Sequence, residues 1–120
     1  MKTYYISFQN KDYKVLIGQN ATENDQLIKQ SKQYDLWFHL NGIKSPHVIL
    51  ETQNDNMKKS DLRWMKTFFI DHVSNLPPNF TLIYTKIKNV QRTNIPGTVV
   101  PKCIEIIPAI HKSNGMPSVY

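Results

Sequence analysis

Cysteine is almost absent from this chain. Cys103 stands alone among 120 residues, so neither an internal disulfide nor a Cys-rich zinc site can form. Glycine is scarce too: there are four, and none cluster. A glycine-rich loop that cradles phosphate is therefore missing, as is the Gly-x-Ser-x-Gly turn that presents a nucleophilic serine. No apolar run reaches the roughly 18 residues of a membrane-spanning helix. The start, Met1-Lys2-Thr3-Tyr4-Tyr5, lacks the apolar stretch of a signal peptide. These absences lead us to expect a reduced, intracellular, cytoplasmic protein without membrane contact.

Acidic residues are few as well, 9 against 15 Lys and Arg, which leaves a net charge of +6. The imbalance is one-sided. Residues 1–55 hold six Lys and six Asp or Glu, whereas residues 56–120 hold nine Lys or Arg against Asp61, Asp71 and Glu105. A concentrated cationic half favours a polyanionic partner. Thirteen of the cations are Lys, so A/T-rich coding accounts for part of the excess without any selection for binding.

A chain of this length predicts one domain. Tyr4–Phe8 and Tyr13–Ile17 are rich in β-branched and aromatic residues around the turn residues Asn10-Lys11-Asp12, which predicts an N-terminal hairpin. Thr22 with Asp25 three residues later has a capping-box spacing for a helix to about Lys32, whose apolar side is only Leu27 and Ile28. Leu62, Met65, Phe69, Val73 and Leu76 recur at helical spacing, which predicts a helix over residues 58–74, stopped by Pro77-Pro78. Lys59, Arg63 and Lys66 fall on one flank of that helix, with Trp64 opposite the apolar stripe. Phe80–Tyr84, Ile87–Gln91, Thr98–Val100 and Cys103–Ile107 read as short strands, with a Pro96-Gly97 turn between the second and third. The expected fold is α/β (α+β): a single domain over residues 1–108, with a curved, mostly antiparallel sheet, the hairpin and two packed helices. Residues 109–120 read as an extended or mobile tail.

Chemistry concentrates in residues 35–50. Leu36, Phe38 and Leu40 alternate with Asp35, Trp37 and His39, and His47-Val48-Ile49-Leu50 reads as a buried strand entered through Lys44-Ser45-Pro46. Two imbalanced faces follow, one apolar and one carrying a carboxylate, an indole and an imidazole. His39 and His47 invite acid–base or metal chemistry. The further ligand candidates Asp35, His72, Cys103 and His111 show no motif spacing, so neither a metal nor a cofactor is expected. Ser45 has no third partner assignable by pattern, and an enzyme is the minority reading. His47 either contacts a ligand or is buried and hydrogen-bonded near Asp35. Trp37 either stacks an unpaired base or lies covered by the helix of residues 58–74, the favoured reading.

The succession Gly18-x-Asn20, Asn24-Asp25-x-Leu27, Asp35-x-Trp37-Phe38-His39, His47-Val48, Tyr84-Thr85 and Pro96-Gly97-Thr98-Val99 resembles the NFACT-R family of RNA-binding domains, known from ribosome-quality-control factors. The resemblance covers about residues 13–107. This chain departs from the family pattern at Ser45-Pro46, at Glu51 and in the bulky residues Trp64, Met65, Phe68 and Phe69. Asp35, Trp37, His39, His47, Tyr84 and Gly97 are the matching positions. The resemblance implies an α/β domain that binds RNA, tRNA or ribosomal RNA foremost, in translation or ribosome quality control, with the ribosome and DNA as further partners. Within that expectation Lys86, Lys88, Arg92 and Lys102 contact phosphates, Lys86 and Lys88 from one face of a strand. His39, His47 and Trp37 stand at the ligand or hold the turn beside it, and Lys59 and Arg63 add a second basic flank. Two other classes remain: a module docking on a ribosomal or other protein through a sheet edge or the tail, and an RNA-modifying enzyme or hydrolase using His39 and His47. The oligomeric state stays open.

Overall fold

A computed structural model describes residues 1–108. The predicted tail from Ala109 to Tyr120, with His111, lies outside the described residues. The chain runs β1 (Lys2–Phe8), β2 (Lys11–Ile17), α1 (Ala21–Gln30), β3 (Leu36–Leu40), β4 (Val48–Glu51), α2 (Trp64–His72), β5 (Leu82–Lys86), β6 (Val90–Arg92), β7 (Val99–Pro101) and β8 (Glu105–Ile107). Six strands form one sheet in the order β1-β2-β4-β3-β5-β8, antiparallel at every pairing. β6 and β7 form a separate hairpin. The α+β architecture agrees with the expectation.

The hairpin closes at Gln9-Asn10, both with positive φ, one residue earlier than the turn chemistry indicated. Alternation then distributes the side chains. Tyr13, Val15, Ile17, Phe38, Val48, Leu50, Leu82 and Tyr84 face Leu62, Met65, Phe68 and Phe69, making the main core under α2. The predicted stripe of the second helix is thus its buried face. That helix is interrupted, however: a 3-10 turn over Lys59–Leu62 precedes α2. Trp64 folds back to within 6.4 Å of the Phe8 ring at the rim of this core. Lys66 leaves the basic flank altogether. It is 3% exposed, with Nζ donating to the Phe80 carbonyl and lying 3.7 Å from the Phe80 ring centroid.

On the opposite face Leu16, Trp37, Ile49 and Ile83 are covered by Leu27 and Ile28 of α1 and by Val90 and Val99 of the hairpin. Both faces of the central strands are therefore buried, as in a three-layer domain. Trp37 is 1% exposed, covered as expected but by the other layer: α1 and the β6–β7 hairpin lie over it, while α2 lies on the far side of the sheet. α1 begins earlier than predicted. Asn20 is its N-cap, accepting from the Glu23 amide at 2.9 Å, and Glu23 Oε1 accepts from the Gln19 amide. Asn outranks the later Thr22 because its side-chain oxygen reaches the free amides of the first turn.

Candidate nucleic-acid interface

Antiparallel register decides which chemistry meets. β3 pairs with β4 through Leu36↔Leu50, Trp37↔Ile49 and Phe38↔Val48, so the next step places His39 beside His47. Their ring centroids are 5.5 Å apart at 72°. The Trp37 indole stacks on His39 at 5.4 Å and meets His47 edge-on at 5.5 Å. Asp35 does not join them. It lies four residues away along β3, roughly 13 Å, where its carboxylate accepts from the amides of Lys32 and Thr52. The expected His47–Asp35 partnership is replaced by two fastenings: Asp35 pins the far end of the strand, and the His47 amide donates to Asn24 Oδ1 of α1 at 3.2 Å.

The two imidazoles differ. His39 is half-buried, and its Nδ1 is 2.6 Å from the Leu40 carbonyl. A carbonyl only accepts, so Nδ1 carries the proton and the neutral ring keeps its lone pair on Nε2. His47 is 2% exposed, and its Nδ1 has no partner among the described residues. Burial, with the His39 ring a second cause, pushes His47 down to about 4. Burial also lowers His39, partly opposed by the Leu40 carbonyl. Both rings are therefore neutral at pH 7. The Ser45 hydroxyl donates to the Pro46 carbonyl at 2.7 Å and accepts from the Leu40 amide at 3.2 Å; it shapes the β3–β4 loop. Among the described residues no three His, Cys, Asp or Glu side chains converge on a point.

A cleft of about 870 Å³ opens here, lined by Gly18, Asn20, Asn24, His39, His47 and Gly97 together with Lys44 and Ser45. Gly97 has φ +82°, and a Cβ there would stand 3.0 Å from Ala21 Cα. Glycine is what lets the β6–β7 turn close on the start of α1. Gly18 is tighter still, against a side chain: a Cβ would stand 2.1 Å from Asn24 Oδ1.

The basic segment gathers at the other end of the sheet. Lys86 ends β5, Lys88 lies in a 3-10 turn over Ile87–Asn89, and the Ile87 and Lys88 amides donate to the carbonyls of Asp35 and Gln33. Lys86 and Lys88 thus do not share a strand face, as their spacing had indicated; β5 ends between them. Lys102 joins through its amide to the Asn89 carbonyl at 2.9 Å, and Lys88 and Lys102 line one shallow cleft. All three are exposed, with no carboxylate in ion-pair range among the described residues. Arg92 is different. Its Nε and Nη2 donate to both Asp25 oxygens at 2.9 and 3.0 Å, which clamps β6 to α1. Lys59 lies 3.8 Å from Glu105, and Arg63 is exposed at the start of α2. Tyr84 belongs to the core, stacked on Phe38 at 5.4 Å.

Lys44 and the start of α1 were not expected from the sequence to line the His39–His47 cleft. The Asn20-x-x-Glu23 spacing was the readable signal for the latter.

Of the matching positions His39, His47 and Gly97 thus meet in one cleft, beside Gly18, Asn20 and Asn24 of the same succession, and the chain matches the model of the NFACT protein RNA binding domain over residues 1–103. The chain belongs to this family. The NFACT domain here is 40% identical over 48 residues to the Rqc2 homolog RqcH of Streptococcus suis, an alignment covering 39% of this chain and 8% of that protein. It is 36% identical over 47 residues to coiled-coil domain-containing protein 25 of Mus musculus, covering 39% of this chain and 23% of the relative. A homolog of the latter in Dictyostelium discoideum is 38% identical over 56 residues, covering 42% and 27%. The chain thus matches less than a third of the length of these curated relatives. Its fold is similar to the C-terminal part of the fibronectin/fibrinogen-binding protein from Streptococcus suis, with TM-score 0.69 and 19% identity over 88% of this chain and 43% of that one.

Proposed function

We propose that this NFACT domain binds structured RNA, tRNA or ribosomal RNA, by phosphate and shape readout, in a role linked to translation and ribosome quality control. One observation carries the choice of surface: Lys86, Lys88 and Lys102 lie at one end of the sheet, exposed and unpaired among the described residues. Three free ammonium groups on rigid backbone form a phosphate-positioning surface. A-form RNA is recognised chiefly through its backbone, and neither tryptophan is exposed to read bases, Trp37 being buried and Trp64 half-buried against the core. The family match supports RNA as the polyanion, and the RqcH relative supports the setting.

Filter binding over a salt series tests this reading. Affinity for a tRNA is expected to fall steeply with salt, and the double charge reversal Lys86→Glu/Lys88→Glu to flatten the log–log slope by about 2. No binding at low salt, or an unchanged slope in the double variant, overturns it. A docking module for a protein partner is the second reading, supported by the β8 edge, where Ile104 and Ile106 are 44% and 43% exposed. The same double variant separates the two, because it leaves that edge untouched.

A further inference from the structure

We infer that the His39–His47 cleft holds one sugar–phosphate unit of an RNA strand, with the phosphate over the first turn of α1 beside Lys44 and the ribose 2′-hydroxyl donating to His39 Nε2. The inference deepens the functional reading above and rests on it; it assigns a second contact, at the opposite end of the sheet from the lysine cluster.

Three independent features point to such a ligand. The first is the start of α1. Asn20 satisfies the Glu23 amide and the Asn24 amide donates to the Asn20 carbonyl, which leaves the amides of Ala21 and Thr22 without an acceptor among the described residues. Free amides at a helix start attract an anion, and Lys44 on the facing loop is exposed and lines the same cleft. The second is His47, a wholly buried ring lining this cleft with Nδ1 unpartnered. A buried polar atom with no protein partner marks a place where something else bonds. The third is the hydrogen-bonding sense of His39. With Nδ1 committed to the Leu40 carbonyl, Nε2 accepts, so the ring selects a donor and repels a bare anion.

Anion and donor together describe a ribose phosphate. A base fits less well: Trp37 is covered, and the lining offers Asn20, Asn24, Ser45 and Thr98 rather than an open aromatic face. The cleft volume falls within the range of roughly 300–1,000 Å³ typical of ligand sites.

The test is an NMR titration of the full chain with four mononucleotides: AMP, UMP and their 2′-deoxy counterparts, with inorganic phosphate as a fifth probe. AMP and UMP are expected to shift the Ala21 and Thr22 amides and the His39 ring nitrogens saturably and alike. The deoxy forms should bind about tenfold more weakly, the size of one lost hydrogen bond. His39→Phe retains an aromatic ring to stack on Trp37 but has no acceptor, so it should erase the ribose preference. Equal shifts from phosphate alone, equal affinity for deoxynucleotides, or an unchanged preference in His39→Phe each overturns the inference. Lys86→Glu/Lys88→Glu distinguishes the levels of failure. That variant should keep the mononucleotide shifts while losing tRNA affinity. If wild-type protein binds tRNA with a steep salt slope yet shows no mononucleotide shifts, the cleft assignment fails and the functional reading stands.

Discussion

Single residues here carry chemistry that burial has redirected. His47 enters the folded state as a neutral ring, pushed from 6.5 to about 4 chiefly by burial. The unfolded chain therefore carries more protons on this ring between these two values, and the His47 contribution to stability rises with pH across that window. Conversely, acidifying from pH 7 to 4.5 is expected to remove about 2 kcal/mol of unfolding free energy through His47, with His39 acting in the same direction. Urea denaturation at the two pH values measures the loss. His47→Gln should show a shallower loss, and an equally steep one would assign the effect to other groups. Lys66 is the other redirected residue. Its ammonium is held by the Phe80 carbonyl and ring, so a charge counted as surface in the sequence is a buried fastening for the loop before β5.

At the scale of elements, the cleft depends on how closely α1, the β3–β4 loop and the β6–β7 turn approach one another. Gly97 and Gly18 set that approach. Gly97→Ala is expected to cost about 1–2 kcal/mol, because alanine is strained at positive φ and its Cβ would press on Ala21. The same substitution should weaken AMP binding, since it displaces the first turn of α1. Thermal unfolding together with the nucleotide titration checks both, and an unaltered melting temperature would show that the turn tolerates a side chain. Gly18→Ala acts on the other wall. It drives Asn24 away from the His47 amide, so its effect should appear at the His47 resonance. The element boundaries missed by the sequence have physical reasons. The helix start moved from Thr22 to Asn20 because an earlier, better cap exists. The expected strand through Lys88 became a 3-10 turn because the amides of Ile87 and Lys88 bond to the β3 entry instead of a neighbouring strand.

For the whole molecule, the decisive fact is that the two ends of one sheet carry different polar groups. The cations Lys86, Lys88 and Lys102 gather at the end where β3 begins, and the histidines at the end where it finishes. Arg92 belongs to neither, being clamped to Asp25. Arg92→Ala is therefore expected to leave the salt slope of tRNA binding within error, while each of Lys86→Ala, Lys88→Ala and Lys102→Ala lowers it by about 1. Filter binding across a salt series measures all four. A slope loss in Arg92→Ala matching the lysine variants would mean that RNA displaces Asp25.

Local pattern determined much of this protein. Period-two alternation over 36–40 and the helical stripe through Leu62, Met65, Phe69 and Val73 follow from nearest-neighbour geometry, so the buried faces and the α+β class were legible before any coordinates. The Asp-x-Trp-Phe-His and His-Val segments were legible as a unit for the same reason, since seven residues between the histidines can close a tight loop. Tertiary structure alone decided what those segments meet. The register between β3 and β4 placed His39 against His47 and left Asp35 at the other end. Docking of α1 and the β6–β7 hairpin buried Trp37, claimed Arg92 and built the cleft around Gly97. These are pairings between residues far apart in the chain, settled by which faces pack together, and no local spacing encodes them.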